Sequence, residues 1–170
     1  MAGIGIGIVL GIHLVLLIEG LVHKNTALTS WSSYVLMICV INTLEFLSTA
    51  LYKWQDHSYE YILLNHSKAY SIAMLAACLE YVVEFPWKEV NQYIQLLGFV
   101  LCLMGQGIRF SAMYTCGPHF AHRIMLRKDQ NHQQVTHGIY SFLRHPSYFG
   151  WFYWAIGTQL ILNNPICFCA

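Results

Sequence analysis

Charge is what this sequence has least of: nine Lys and Arg and eight Asp and Glu make up 10% of its 170 residues, where a soluble domain carries about 25%. With 56% hydrophobic residues and a mean hydropathy of +0.47, that scarcity excludes an ordinary soluble domain and points to a bilayer. The net charge of +1 leaves no surplus of either sign, so the electrostatic footprint of a nucleic-acid binder is absent. Residues 1–20 are apolar but have no basic leader and no small-residue cleavage site, and they hold His13 and Glu19. They read as a retained span and not as a cleaved signal. Gly3, Gly5, Gly7 and Gly11 complete no GxGxxG after a strand, which leaves close helix packing as their expected role. The six cysteines lack zinc spacing, because Cys167 and Cys169 form C-x-C with no second pair. Cys39, Cys78 and Cys102 stand in apolar stretches as small hydrophobes, and no metal site is expected.

What the sequence does have is apolar length. A run of about 20 apolar residues spans the hydrocarbon core as a helix, and five runs qualify, at 4–22, 31–51, 69–85, 90–114 and 148–169. The expected fold is all-α, a polytopic integral membrane helix bundle of about five spans forming one domain over 1–170. Residues 115–147 form the one long polar connection, and function is expected there, because long loops on a rigid scaffold usually carry it. If spans alternate, Lys53, Lys68, Arg109, Arg123, Arg127, Lys128 and Arg144 lie on one side against Lys24 and Lys88 on the other. Positive charge stays cytosolic, so this loop is expected to face the cytosol. Asn65, in the sequon Asn65-His66-Ser67, would share that side and escape glycosylation.

Four ionisable groups fall inside the runs: Glu45, Glu80, Glu84 and Arg109. Each costs about 3 kcal/mol at mid-bilayer on insertion scales, so each needs a partner or a wet cavity. Glu80 and Glu84, near the end of the short third run, read as packing pairs; for Glu45 and Arg109 a packing pair and a polar lining are equally open. The fifth run starts at Arg144-His145-Pro146-Ser147-Tyr148. Pro146 suits the first turn of a helix, where its missing N–H is not needed. The free N–H groups and positive dipole end of that turn suit a carboxylate. Tyr140 or Tyr148 suits an adenine or ribose, His145 donates or accepts, and Arg144 serves as an interfacial anchor or a ligand contact. Trp151, Tyr153 and Trp154 read as an interfacial aromatic belt.

V-T-H-G-I-Y at 135–140, R-H-P-S-Y-F-G-W-F-Y-W-A-I-G-T-Q at 144–159 and the following Asn164-Pro165 resemble the isoprenylcysteine carboxyl methyltransferase family. Leu64-Asn65-His66-Ser67 and G-I-R-F-S-A-M-Y-T-C-G-P-H-F-A-H at 107–122 extend the similarity over roughly 41–166. The resemblance implies S-adenosyl-L-methionine as methyl donor, held by His132, Gln133, Gln134, Val135, Tyr140, His145, Pro146, Ser147 and Tyr148. Met125 stands where the family tends to place a Gln contact, and Gln133 and Gln134 replace residues that are often Thr and Leu. It implies prenylcysteine-terminated CaaX proteins, such as Ras-like GTPases and lamins, as acceptors, and a multi-pass site in the endoplasmic reticulum membrane facing the cytosol. Family members carry an R-x-x-x-E-E-type tail that binds the acceptor carboxylate. No Arg or acidic residue follows Arg144 here, so those catalytic groups are expected beyond Ala170.

A carboxylate acceptor with a pKa near 3.5 is already ionised at pH 7, so the chemistry needs alignment more than acid–base help. Two other classes share part of the pattern. An NADPH-dependent sterol reductase has a version of R-H-P-x-Y, and a truncated, non-catalytic membrane protein would lack the tail.

Overall fold

The computed structural model describes residues 2–52, 68–120 and 134–170. Asn65, Lys53, Arg123, Met125, Arg127, Lys128, His132 and Gln133 lie outside them, as do the expectations attached to those residues. Among the described residues the elements are helical: α1 (Ala2–Val22), α2 (Thr26–Tyr52), α3 (Lys68–Glu84), α4 (Gln92–Cys116), α5 (Pro146–Leu162) and α6 (Pro165–Cys169), with 3₁₀ turns at Phe85–Trp87, Gly117–His119 and Gly138–Ser141. All four prolines stand in the first turn of an element, where no intrahelical N–H is required.

Among the described residues, four helices are long and apolar enough to cross a membrane, within Gly5–Val22, Thr26–Tyr52, Lys68–Trp87 and Gln92–His119. The first is nearly all surface, with 6% of its window buried, whereas Thr26–Tyr52 and Gln92–His119 are 41% and 39% buried. An outer helix thus lies against a packed centre. The fifth expected span is shorter than the hydropathy suggests. α5 ends at Leu162 after 17 residues, and Asn163, with φ 51° and ψ 46°, turns the chain before Pro165 opens α6. Hydropathy runs straight through 148–169 because it does not register the left-handed Asn or the proline that must follow a helix stop.

The centre is the antiparallel pair α4–α5. Gly98 and Gly105 on α4, and Gly150 and Gly157 on α5, recur at seven residues, two helical turns. A Cβ on Gly98 would stand 2.7 Å from both the Gly157 carbonyl oxygen and Ile161 N, and one on Gly157 2.8 Å from Cys102 N. Gly105 and Gly150 are tighter still, each directed at the other's carbonyl oxygen. The obstacles are backbone, which no rotamer relieves, and this is the small-residue seam that lets two apolar helices touch in lipid. A Cβ on Gly5, Gly7 or Gly11 would meet nothing within 4 Å, so the packing role expected of the N-terminal glycines belongs to α4 and α5 instead. α1 packs mainly on α2, through a turn in which Asn25 Oδ1 accepts from Leu28 N at 3.0 Å.

The core gathers Tyr34, Ile38, Ile41, Ala77, Tyr81, Cys102, Trp154, Ile161 and Leu162 from α2 to α5. α4 is capped by Asn91, whose Oδ1 accepts from Tyr93 N and Ile94 N at 3.0 and 3.3 Å. The Asn91 N–H in turn donates to Asn163 Oδ1 at 3.1 Å, which ties the start of α4 to the end of α5 and fixes their register. The expected pairs of Glu80 and Glu84 form here. The Glu84 carboxylate receives Lys88 Nζ at 2.5 Å, and the Glu80 carboxylate caps α6, accepting from Ile166 N at 2.7 Å and Cys167 N at 2.8 Å.

Candidate functional site

At the opposite end of the seam the helices hold a charge. Arg109 follows Gly105 by one turn on α4 and is 8% exposed, while Glu45 on α2 is fully buried. Arg109 Nε donates to Glu45 Oε1, and its Nη1 donates to Ser147 Oγ at 2.8 Å and more weakly to the Ser147 carbonyl at 3.4 Å. One guanidinium therefore joins three helices. Removing either charge would break a buried ion pair in a low-dielectric interior, which costs about 3–5 kcal/mol. Arg109, which the sequence places inside the fourth run as well as among the charges on or near the loop side, is buried between the helices.

Ser147 reaches Arg109 because α5 begins where the sequence places it. Pro146 is buried in the first turn, and Phe149 N closes that turn on the His145 carbonyl at 3.0 Å. His145 occupies the cap position with φ −132° and ψ 63° and makes no side-chain cap bond, so the first-turn amides keep their capacity for an acceptor. The His145 and Tyr148 rings meet edge-on at 6.3 Å, both exposed. The 3₁₀ turn Gly138–Ser141 packs against the end of α4: Gly138, at φ 60°, lies so close to Thr115 that a Cβ would stand 2.9 Å from its Cγ2. Both the positive φ and the contact require glycine there. Tyr140 in this turn is half-buried. Burial first, and then the neighbouring Cys116, push its hydroxyl up to about 12, so it is a neutral donor at any physiological pH. Val135 is half-buried and Gln134 exposed, and neither has a described bond to the H-P-S-Y segment.

Beside Arg109 opens a cavity of about 450 Å³. Its wall comes from Tyr34 of α2, Tyr70 and Met74 of α3, and Tyr148, Trp151 and Trp154 of α5, with Arg109 at one end. Thr158 and Gln159 also line it, and from Tyr148 to Gln159 α5 advances roughly 16 Å. The chamber is thus long and mostly apolar, and among the described residues that line it the one charged side chain is Arg109, at one end. The expected aromatic belt does not form as such, since Trp154 is 3% exposed core and Trp151 faces the cavity. Both face inward because the seven-residue glycine spacing turns that side of α5 toward the bundle. Tyr34 and Tyr70 escaped the sequence reading for want of any motif, and Gln159, the last residue of the 144–159 string, was given no role there. A period-3.6 count of polar residues on α5 would have drawn attention to Ser147, Trp151, Thr158 and Gln159 as one face.

Comparison with known proteins agrees with this geometry. The profile of the isoprenylcysteine carboxyl methyltransferase family matches residues 96–170, which hold α4, α5 and the segment between them. The protein-S-isoprenylcysteine O-methyltransferase of Tribolium castaneum is 34% identical over 169 residues, covering 98% of this chain and 58% of that protein. The human enzyme of that name is 39% identical over 145 residues, with 82% and 51% covered, and the Saccharomyces cerevisiae one 38% identical over 170 residues, with 95% and 69% covered. The solved structure of a eukaryotic intramembrane Ras methyltransferase, an isoprenylcysteine carboxyl methyltransferase, superposes with a TM-score of 0.83 at 34% identity, covering 94% of this chain and 58% of that one. This chain spans between half and about two thirds of the length of these relatives. With its several apolar helices it is an integral membrane protein, and it belongs to the isoprenylcysteine carboxyl methyltransferase family.

Proposed function

We propose that the chain forms the membrane part of an S-adenosyl-L-methionine-dependent enzyme that methyl-esterifies the C-terminal prenylated cysteine of CaaX proteins, at the cytosolic face of the endoplasmic reticulum membrane. The observation that carries this reading is the apolar cavity with Arg109 at one end. An acceptor with a long hydrocarbon tail and a terminal carboxylate has that polarity, and a soluble acceptor does not. Burying the tail stabilises the complex by about 25 cal/mol per Å², and the tail enters from lipid and not from water.

The methyl donor's site is supported by the uncapped first turn of α5, which suits an anionic group, and by the exposed His145 and Tyr148 beside it. Tyr140, neutral and half-buried, adds a donor. When bound, the sulfonium donor supplies an electrophilic methyl: a carboxylate oxygen forms the new C–O bond, the S–C bond breaks with its electron pair returning to sulfur, and no proton moves. Ser147, tied to Arg109 at 2.8 Å, would stay on the methyl donor's side, and the acceptor carboxylate, which arrives ionised, would be held by the family-type tail groups expected beyond Ala170. The aromatic wall excludes water, and orientation supplies most of the rate.

Calorimetric titration of the purified chain with S-adenosylhomocysteine tests the donor site. His145→Ala and Tyr148→Ala are expected to weaken binding about tenfold, the loss of one good contact, while Phe152→Ala on the exposed side of α5 leaves it unchanged. Equal losses in all three, or NADPH binding in place of S-adenosylhomocysteine, would sink the assignment.

A further inference from the structure

The segment that joins the two halves of the methyl donor's site leaves a bulky apolar side chain and a cation exposed. Tyr140 stands in the 3₁₀ turn and His145 at the cap of α5, so residues 141–144 bridge them. Within this bridge Phe142 is 88% exposed and Arg144 is exposed. Arg144 has no hydrogen bond or ion pair with a described residue, and no Asp or Glu follows Asp129 in the sequence to meet it. Lys68, the first residue of α3, is likewise exposed and without a described partner. It shares this end of the bundle, since its neighbour Ala69 and Tyr148 of α5 line the same cavity. Phe149 and Phe152, 38% and 57% exposed, continue the apolar surface along α5 to about 9 Å past Pro146.

This surface has the layering of a bilayer boundary, with apolar side chains along the helix and cations at the helix starts. Water suits the two cations but not the phenyl ring, and hydrocarbon suits the ring but not the cations. The boundary between headgroups and acyl chains suits both. Because the only charges at its rim are positive, the headgroups that complement it are anionic. Resting on the function proposed above, which sets this end at the cytosolic leaflet, we infer that Phe142, Arg144 and Lys68 dock on anionic phospholipid headgroups and that this docking raises affinity for the methyl donor. Both ends of the bridge are donor-site residues, so a bridge already immobilised on the headgroups removes part of the ordering cost of donor binding. The lipid takes no part in methyl transfer.

The test places the full chain in nanodiscs of phosphatidylcholine with and without phosphatidylserine. Native mass spectrometry counts the phosphatidylserine retained, a reading that needs no methyl donor. Arg144→Gln and Lys68→Gln are each expected to cut retention about fivefold, equivalent to about 1 kcal/mol. Titration with S-adenosylhomocysteine then reads the coupling. Phosphatidylserine should raise wild-type affinity about fivefold, the low end of ordinary couplings, and by linkage S-adenosylhomocysteine should raise phosphatidylserine retention by the same factor. Phe142→Ser and Arg144→Gln should remove that gain while leaving affinity in pure phosphatidylcholine as it is. Retention unchanged in both the Arg144 and the Lys68 variants overturns the docking. A loss of affinity in Arg144→Gln that is as large without phosphatidylserine as with it makes Arg144 a direct donor contact and overturns the coupling. If retention falls as expected but S-adenosylhomocysteine binds in neither membrane, the donor-site reading fails and the coupling with it, while the headgroup docking stands.

Discussion

At one end of the α4–α5 pair a buried cation is saturated, and at the other it is not. Lys88 Nζ, with three N–H bonds to give, donates to Glu84 Oε2 at 2.5 Å, the Asn163 carbonyl at 3.0 Å and Asn164 Oδ1 at 3.1 Å, and its ammonium lies 4.9 Å from the Tyr81 ring centre. Asn164 Nδ2 donates onward to the Ala77 carbonyl at 2.9 Å. That end is a lock, joining α3, α4, α5 and α6 with nothing left to offer a ligand. Arg109 is joined to Glu45 and Ser147, but it borders a cavity whose Tyr70 and Trp151 donors have no described acceptor. Both clusters hold helices together in an apolar medium, and the difference lies in unspent hydrogen-bonding capacity. A saturated cluster serves structure, and an unsaturated one beside a cavity serves binding.

The seam common to both ends gives the largest effect. Gly105→Val should abolish a monodisperse protein in detergent size-exclusion chromatography, since its Cβ meets Trp154 N at 2.7 Å and backbone cannot yield. The cost should exceed the roughly 1–3 kcal/mol of ordinary overpacking. Gly107→Val, on the same helix with nothing within 4 Å, should behave like the wild type. If both variants behave alike, the seam is not what holds the pair.

The contrast between the two cations comes next. Arg109→Met leaves Glu45 as a buried charge and should lower stability by about 3–5 kcal/mol, with prenylcysteine binding lost as well. Lys88→Met strips Glu84, whose side chain is 24% exposed. It should cost less, about 1–3 kcal/mol, and should leave ligand affinity intact in whatever fraction stays folded. Thermal melts paired with titrations distinguish the two. A Lys88 variant that loses ligand binding as completely as the Arg109 variant would erase the distinction between lock and receptor.

The smallest effect is a titration. The Tyr140 hydroxyl is raised by burial from 10 to about 12, so the folded state favours its neutral form. The stability this contributes is fully present below pH 10 and lost as pH rises through 12. The phenolate absorbance difference between wild type and Tyr140→Phe should therefore rise near pH 12. A rise near pH 10 would mean that the turn is open to solvent and presents no ordered donor to the site.

Much was legible without coordinates. Apolar runs gave the all-α membrane class because lipid admits a spanning segment only when its backbone bonds close within the segment. Pro146 marked the start of α5, since a missing N–H is harmless only in a first turn. The break at Asn163 was visible as Asn-Asn-Pro but was overridden by hydropathy, which averages over it. The N-terminal glycines misled, because spacing alone does not say whether another helix lies opposite.

The sequence by itself determined the all-α membrane class and the start of α5 at Pro146, for those follow from local properties: hydrophobic length and proline geometry. Tertiary structure alone decided that Glu45 and Arg109, 64 residues apart, share one ion pair. It likewise decided that Tyr70 and Trp151 face one cavity and that Lys88 is spent at the far end. Those outcomes depend on which faces of the helices the glycine seam brings together, and a helix's polar groups acquire roles only when another helix supplies, or withholds, their partners.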